Sequence, residues 1–153
     1  MTPYASMLKS TAPRCNVERK VLDAFAVLAW MQGESAAQRV RELLSAAESG
    51  NVELLMSVVN AGEVFYRLSR VRSVEAAEAF RQAVQRDEFP VTWMPATDGR
   101  IWGAAVIKAR HPLSYADAFA VALSQEWNAP VVTDDPEIVA LSHVGILVEP
   151  LTR

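Results

Sequence analysis

Apolar residues recur along the chain at two spacings, which predict strands and helices in turn. Short aliphatic runs, such as VELLMS at 52–57 and PVVT at 130–133, are typical of strands that are buried on both faces. In the segment 35–50, apolar residues return every three or four positions, as on one face of a helix. Strands that alternate with helices throughout predict a parallel sheet with helices on both faces.

Capping residues mark where these helices are expected to begin and end. Gly33 is expected to stop the first helix, and Ser35 to open the second, which Gly50 closes. Thr97 and Ser114 are expected to cap two later helices because their hydroxyls can accept a free backbone N–H. The fold class is therefore predicted as α/β, with the helices arranged around one sheet.

The length and composition limit the organisation to one domain. The chain has 153 residues, of which 51% are hydrophobic and 22% charged, as in ordinary globular proteins. Residues 1–17 are rich in Ser, Thr and Pro and are expected to form a flexible N-terminal extension, so that the domain spans residues 18–153. The single cysteine, Cys15, has no partner in the chain for a disulfide.

Charge and hydropathy narrow the classes of protein. The apolar runs are shorter than the roughly 20 residues that span a bilayer, and the N-terminus does not resemble a secretory signal, so a cytoplasmic protein without membrane contact is expected. The net charge of −3 lacks the basic excess typical of nucleic-acid binding. A nuclease is not excluded, because acids that hold metal ions lower the net charge.

Acidic residues stand where the predicted strands and helices meet. Asp23 follows the first strand, and Asp134 and Asp135 follow the strand at 130–133. Glu63 and Asp117 lie about one turn into helices that begin near the same edge of the sheet, where α/β folds bind ligands. Buried carboxylates this close would repel one another unless a cation offset their charge. Ligands that offer only oxygen favour Mg²⁺ or Mn²⁺ over Zn²⁺.

Each acid also has a purely structural interpretation. Asp23 and Asp135 can serve as helix N-caps, and Ser114 with Asp117 resembles a capping box. Glu63 can be a solvent-facing helix residue, although its neighbours are largely uncharged. The four acids taken together favour a functional site.

Three segments carry a resemblance to a known family: VLDAFAVLAWMQGE, LLMSVVNAGEVFYRLSR and PLSYADAFAVALSQEWNAPVVTDDPEI. In order and in the position of their acids they resemble PIN-domain ribonucleases, and within these the VapC-like toxins of type II toxin–antitoxin systems. The resemblance implies a three-layer α/β/α sandwich with a central parallel five-stranded sheet, and Mg²⁺- or Mn²⁺-dependent cleavage of RNA. It implies metal-binding, catalytic roles for Asp23, Glu63, Asp117 and Asp135, with Thr133 in support. It also implies a cognate antitoxin, whose C-terminal segment lies in the groove, and a homodimer.

The chain departs from the family pattern in two places, after Asp23 and before Asp135. Ala24 and Phe25 follow Asp23, where many relatives have a hydroxyl or amide side chain. Asp134 stands where relatives often have Gly, and it is expected to face water rather than to act as an outer-shell ligand.

Further polar residues have two interpretations each. Asn60 is expected either to bond a metal-bound water or the backbone of the first strand, or to be an ordinary helix-start residue. Arg67, Arg70 and Arg72 can contact phosphates, but a solvated helix face is the simpler interpretation. The tryptophans are expected in core or partner contacts rather than base stacking. They are Trp30, Trp93, Trp102 and Trp127.

The function predicted from the sequence is that of a metal-dependent endoribonuclease and toxin. The alternative is a catalytically inactive PIN-like binding or dimerisation module. A haloacid-dehalogenase-like phosphatase is set aside, because that chemistry needs an acid two residues after Asp23, where this chain has Phe25.

Overall fold

The computed structural model describes residues 17–151. The expected N-terminal extension lies outside the described residues except for Val17, and it stays a prediction. Within the described part, strands and helices alternate as the sequence predicted. In chain order they are β1 (Glu18–Leu22), α1 (Ala24–Met31), α2 (Ala37–Glu48), β2 (Val52–Ser57), α3 (Val58–Val71), α4 (Val74–Gln85), β3 (Thr92–Met94), α5 (Asp98–Arg110), α6 (Tyr115–Trp127), β4 (Val131–Thr133), α7 (Pro136–Ala140), a short 3-10 helix (Leu141–Val144) and β5 (Val148–Pro150).

The strands form one parallel sheet whose order is β3-β2-β1-β4-β5. β1 is the central strand and pairs with both β2 and β4, with Leu22 in register with Val132. Because all pairs are parallel, the carboxyl ends of β1 and β4 lie side by side at the same edge. The chain crosses from one half of the sheet to the other between these two strands, which makes this edge the topological switch point.

Two apolar clusters, one on each face of the sheet, hold the layers together. Neighbouring residues of a strand point to opposite faces, so Leu22 joins one cluster and Val21 the other. The first cluster packs against α1 to α4, and the second against α5 to α7. The predicted α/β/α sandwich is therefore confirmed.

Hydroxyl side chains begin most of the long helices. The expected caps Thr97 and Ser114 are confirmed, since each accepts a backbone N–H from the first turn of α5 or α6. The expected start of α2 at Ser35 was wrong. That helix begins at Ala37 without a side-chain cap, because the Ala37 N–H bonds the Glu34 carbonyl in a preceding turn.

The ion pairs of Glu149 on β5 link that strand to β1 and α2. The Lys20 side chain is 9% exposed, and its ammonium donates to the Glu149 carboxylate. Arg39 on α2 donates to the same carboxylate at 2.7 and 3.0 Å. Burial alone would raise the pKa of Glu149, but the hydrogen bonds from Lys20 and Arg39 outweigh it and lower that pKa.

We expect Glu149→Gln to lower the free energy of unfolding by about 1–2 kcal/mol, because it weakens the pairing of a buried ammonium. The lowered pKa of Glu149 means that its contribution is present above the ordinary pKa and disappears as the pH falls through the folded-state value. Urea titrations at neutral and acidic pH measure both effects. The control is Glu53→Gln, since Glu53 pairs with Arg19 at the surface. Equal losses in the two variants would contradict the assignment.

Candidate metal centre

Asp23 is buried at the carboxyl end of the central strand. It follows β1 and caps α1, where its Oδ1 accepts the Ala26 N–H at 2.9 Å. The residue is 1% exposed. Burial raises the pKa of Asp23 to about 7, against hydrogen bonds from Thr133 and Ala26, and the charges of Asp117 and Asp135 add to the rise. The interpretation of Asp23 as a helix cap is confirmed, and its carboxylate also contacts Thr133 at the end of β4.

Thr133 connects the ends of β1 and β4. It is fully buried, and its hydroxyl donates to Asp23 Oδ2. The Thr133 hydroxyl oxygen also accepts the Asp135 N–H at 3.0 Å. Asp135 is half-buried and caps α7, with its Oδ1 accepting the Glu137 N–H at 2.9 Å. One hydroxyl thus fixes the positions of two of the predicted site acids.

Glu63 points into the protein, so the interpretation as a solvent-facing residue was wrong. It is 7% exposed. Its Oε1 lies 3.2 Å from the Arg67 guanidinium, whereas its Oε2 is buried without a hydrogen-bond partner. Burial raises the pKa of Glu63, Arg67 opposes the rise, and the charge of Asp135 adds to it.

Asn60 connects α3 with the start of α6. Its Nδ2 donates to the Ala116 carbonyl at 3.0 Å, rather than to the backbone of β1, so that expected contact was wrong. Asn60 is fully buried, and its Oδ1 has no hydrogen-bond partner. The bond places α3, which carries Glu63, against the residue that precedes Asp117.

Asp117 lies in the first turn of α6 and is 8% exposed. Its backbone N–H donates to Ser114 Oγ at 3.1 Å, as the capping interpretation predicted. Burial raises the pKa of Asp117 to about 6, and the charge of Asp135 adds to the rise. The Ser114 hydroxyl opposes it, while Glu63 and Glu137 raise it further. Asp117 therefore interacts electrostatically with Glu63 on α3 and with two acids at the start of α7.

Three carboxylates come close enough to share one ion. An oxygen from each of Asp117, Asp135 and Glu137 lies within 4.8 Å of the other two. Asp23 and Glu63 are not members of this three-oxygen group. The charge of Asp135 nevertheless raises the pKa of both, and the charge of Glu63 raises the pKa of Asp117. Glu137 was missed by the sequence analysis. An acid in the first turn of a helix is commonly explained by the helix dipole, so no signal in the sequence separates that role from metal binding.

The residues present fit a hard divalent cation. All the side chains that converge here offer oxygen, as Mg²⁺ and Mn²⁺ prefer. The buried Glu63 Oε2 and Asn60 Oδ1 are acceptors without a donor, which is costly unless a cation or water meets them. The crowded negative charge gives a second reason, since a cation would remove the repulsion that the raised pKa values record.

A cavity of about 390 Å³ is lined by Phe25, Glu34, Ser35, Ala36 and Asp134. Phe25 and Asp134, which line it, are close in sequence to Asp23 and Asp135. The half-buried Asp134 therefore faces this cavity, and its role towards a metal stays a prediction. A second groove of about 190 Å³ shares two lining residues with the first. It is lined by Phe25, Leu28, Ala29, Gln32, Glu34, Arg67 and Val71.

Comparison with protein families shows the family of this chain. The family model for the PIN domain matches residues 20–144, which include all four predicted metal-binding acids. The chain belongs to the PIN domain family. Comparison with curated protein sequences gives no match.

Solved structures share the fold of this PIN domain at low sequence identity. The VapBC2 structure from Rickettsia felis, bound to a promoter DNA fragment, is 13% identical, with a TM-score of 0.64 over 88% of this chain and 99% of that chain. VapC20 of Mycobacterium tuberculosis, described as a sarcin-ricin loop cleaving toxin, is 19% identical, with a TM-score of 0.63 over 85% and 97%. A toxin–antitoxin complex from Klebsiella pneumoniae is 13% identical, with a TM-score of 0.60 over 85% and 96%. The TM-scores show a common fold, and at identities this low the similarity shows the fold alone.

Among residues 17–151, no helix has both the length and the apolar character needed to cross a membrane. Cytoplasmic residence stays a prediction.

The raised pKa values predict how stability depends on pH without metal. Asp23 and Asp117 ionise near pH 4 in the unfolded chain, but their pKa values in the folded state are about 7 and about 6. The folded state therefore binds more protons across this window, and the free energy of unfolding falls as the pH rises from about 4 to 7. We expect Asp23→Asn to be more stable than the wild type at pH 8, by on the order of 1–3 kcal/mol. Asn also serves as an N-cap, so the helix start is retained.

Denaturant titrations with a chelator, at several pH values, measure this difference. The control is Asp98→Asn, which makes the same chemical change at an exposed acid in the first turn of α5. A wild-type stability that rises from pH 5 to pH 8 would contradict the electrostatic account.

Proposed function

We propose that this PIN domain is a Mg²⁺- or Mn²⁺-dependent endoribonuclease and the toxin of a type II toxin–antitoxin pair. The observation that supports it most directly is the convergence of acids from four parts of the chain at the switch point of the sheet. Beyond burial, which is the largest cause, the charges of Asp117 and Asp135 raise the pKa of Asp23, and the charges of Asp135 and Glu63 raise the pKa of Asp117. This mutual influence supports a site rather than a set of caps.

The proposed roles follow from burial and hydrogen bonding. Asp23 and Asp117 are both buried. Asp23 accepts hydrogen bonds from Ala26 and Thr133, and the Asp117 N–H donates to Ser114 Oγ, so both acids would bind the cation with little loss of freedom. Glu63 would contribute Oε2, directly or through water, because that oxygen has no donor. Asp135 is half-buried and lies towards solvent, so it would complete the site where the substrate enters. Thr133 would act as a positioning residue for Asp23 and Asp135.

The reaction would be addition of water to an RNA phosphodiester, with breakage of one P–O bond. When bound, Mg²⁺ or Mn²⁺ supplies positive charge that offsets the phosphate charge and lowers the pKa of water at the site. The chain itself would orient the phosphate and accept the proton of the attacking water on an ionised carboxylate.

We expect the purified protein, freed of any antitoxin, to cleave RNA with Mg²⁺ or Mn²⁺ and to lose the activity with chelator. Asp23→Asn and Asp117→Asn are expected to lower turnover by about 100-fold or more, which corresponds to about 3 kcal/mol of lost transition-state stabilisation. Gel assays on a varied set of structured RNAs measure the cleavage. Circular dichroism checks that the variants fold.

Asp98→Asn serves again as the exposed control and should cleave like the wild type. Unchanged turnover in both site variants would show that the site is wrongly assigned. The inactive binding module would be favoured if the wild type cleaves none of the RNAs and calorimetry detects no Mn²⁺ binding.

An antitoxin partner is part of the same proposal. The groove between α1 and α3 combines the apolar side chains of Phe25, Leu28 and Val71 with the charged groups Glu34 and Arg67. A groove of this mixed character suits an amphipathic peptide segment, such as the C-terminal segment that the family resemblance implies. Arg67 already pairs with Glu63, and Arg70 stacks over the Tyr66 ring at 5.2 Å. Phosphate contacts by these arginines stay a prediction.

The homodimer is proposed for an exposed apolar surface on α5 and α6. Trp102 is 72% exposed, and Val106, one turn later on the same helix, is 47% exposed. Tyr115 at the start of α6 joins them through a hydrogen bond from its hydroxyl to the Ile101 carbonyl at 3.3 Å. Clustered exposed apolar residues, unlike scattered ones, commonly mark an interface. A second copy of the chain is the occupant that the family resemblance implies.

We expect Trp102→Glu to convert a dimer to a monomer, because a charge would be buried without a partner at the interface. Light scattering coupled to size-exclusion chromatography measures the mass. Val74→Glu is the matched control, since Val74 is 60% exposed but begins α4 in the opposite helical layer. A wild type that is monomeric at all concentrations, or a Trp102→Glu variant that stays dimeric, would contradict this interface.

A further inference from the structure

Glu137 extends the acidic site towards solvent. It is exposed, whereas Asp23, Glu63 and Asp117 are each less than a tenth exposed and Asp135 is half-buried. The backbone N–H of Glu137 donates to Asp135 Oδ1 at 2.9 Å, which holds the two residues in a fixed relation. The carboxylate of Glu137 is therefore the outermost of the group.

The spacing between one carboxylate oxygen from each of Asp117, Asp135 and Glu137 fits a single ion. Oxygen ligands lie about 2.0–2.6 Å from Mg²⁺ or Ca²⁺, so two ligands on opposite sides of an ion are about 4–5 Å apart. The oxygens of Asp117, Asp135 and Glu137 are all within 4.8 Å of one another. The inner acid Asp23 is positioned differently, since both of its oxygens already accept hydrogen bonds from Ala26 and Thr133.

A second observation points to a ligand at this place. Glu63 is 7% exposed, and its buried Oε2 has no hydrogen-bond partner. The charge of Glu63 raises the pKa of Asp117, and the charge of Asp135 raises the pKa of Glu63, so this carboxylate lies close to the same group of acids. The fully buried Asn60 Oδ1 is an acceptor in the same condition. Buried acceptors without donors beside three converging carboxylates are the environment that a cation stabilises.

We propose that Glu137 is a further metal-binding residue of this chain, which holds the divalent cation from the solvent side together with Asp117 and Asp135. The inference rests on the proposed metal-dependent function and adds a residue to it. Being exposed, Glu137 is the first carboxylate that an incoming ion meets. Its role is to increase the affinity for the ion at the mouth of the site.

The test is Mn²⁺ binding to the purified full chain, measured by calorimetry and by the electron paramagnetic resonance signal of free Mn²⁺. We expect Glu137→Gln to weaken the affinity about 10-fold or more, the range typical when a residue supporting a metal site is lost. The shift of the melting temperature on adding Mn²⁺ should shrink in parallel. Without metal, the variant should melt at or slightly above the wild-type temperature, since Glu137 is exposed and its charge only adds to the repulsion of Asp117.

Glu75→Gln is the matched control. Glu75 is exposed and occupies the second position of α4, as Glu137 does in α7, so it reports the loss of a charge near a helix start. Salt separates direct ligation from general attraction. A long-range charge effect is screened at about 0.5 M salt, where the Debye length is only a few ångströms, whereas a lost ligand still weakens binding.

Each outcome decides the inference. Weaker Mn²⁺ binding by Glu137→Gln that persists at high salt, with Glu75→Gln unchanged, supports it. Equal affinity of Glu137→Gln and wild type, or a difference that salt removes, overturns the inference and leaves the proposed ribonuclease intact. A wild type that binds no Mn²⁺ and does not cleave RNA would remove both, and this result is distinguishable because it appears before any variant is compared.

Discussion

The cost of burying several carboxylates at one place, to which their mutual repulsion adds, is the constraint on which the rest of this site depends. Asp23 and Asp117 have little contact with water, and their pKa values are raised to about 7 and about 6 because ionisation is costly there. The acids nevertheless stay in place, because the fold holds them with donors that do not move. The Ala26 N–H and the Thr133 hydroxyl bind Asp23, and the Ser114 cap fixes the turn that carries Asp117. The fold thus maintains an electrostatic cost that a bound cation would offset.

The parallel sheet makes this arrangement possible. β1 and β4 are neighbours in the sheet but distant in sequence, and their register brings Asp23 beside the strand that ends at Thr133. The apolar clusters on both faces fix the two strands, so the positions of these polar residues follow from the core. α3 and α6 then pack together, and the Asn60 bond to the Ala116 carbonyl brings Glu63 to the same place. Four segments meet because each is tied to the sheet or to its neighbour.

The fold, and the positions of the four acids named from the sequence at one edge of the sheet, could be predicted, whereas the position of Glu137 beside Asp117 and Asp135 could not. Strand alternation and the caps gave the architecture, since periodicity and turn chemistry are local signals. Ser35 misled because a turn through the Glu34 carbonyl replaced the side-chain cap. Glu137 was missed for a different reason: its proximity to Asp117 depends on how α6 and α7 lie in space, and no spacing in the sequence records that distance. The partner of Asn60 was wrong for the same reason.

The structural and functional interpretations of an acid do not exclude each other here. A carboxylate has two oxygens, and in Asp135 one of them caps α7 while the residue still contributes an oxygen to the group with Asp117 and Glu137. The cap sets the orientation of the side chain, because the N–H that it accepts is part of a rigid helix turn. A residue that needed only to cap would be equally served by Ser or Asn, and neither would add negative charge to a site already crowded with it. The presence of acids at caps that converge, where neutral caps would be more stable, is therefore the feature that distinguishes Asp23 and Asp135 from the ordinary hydroxyl caps Ser57, Ser73 and Thr97.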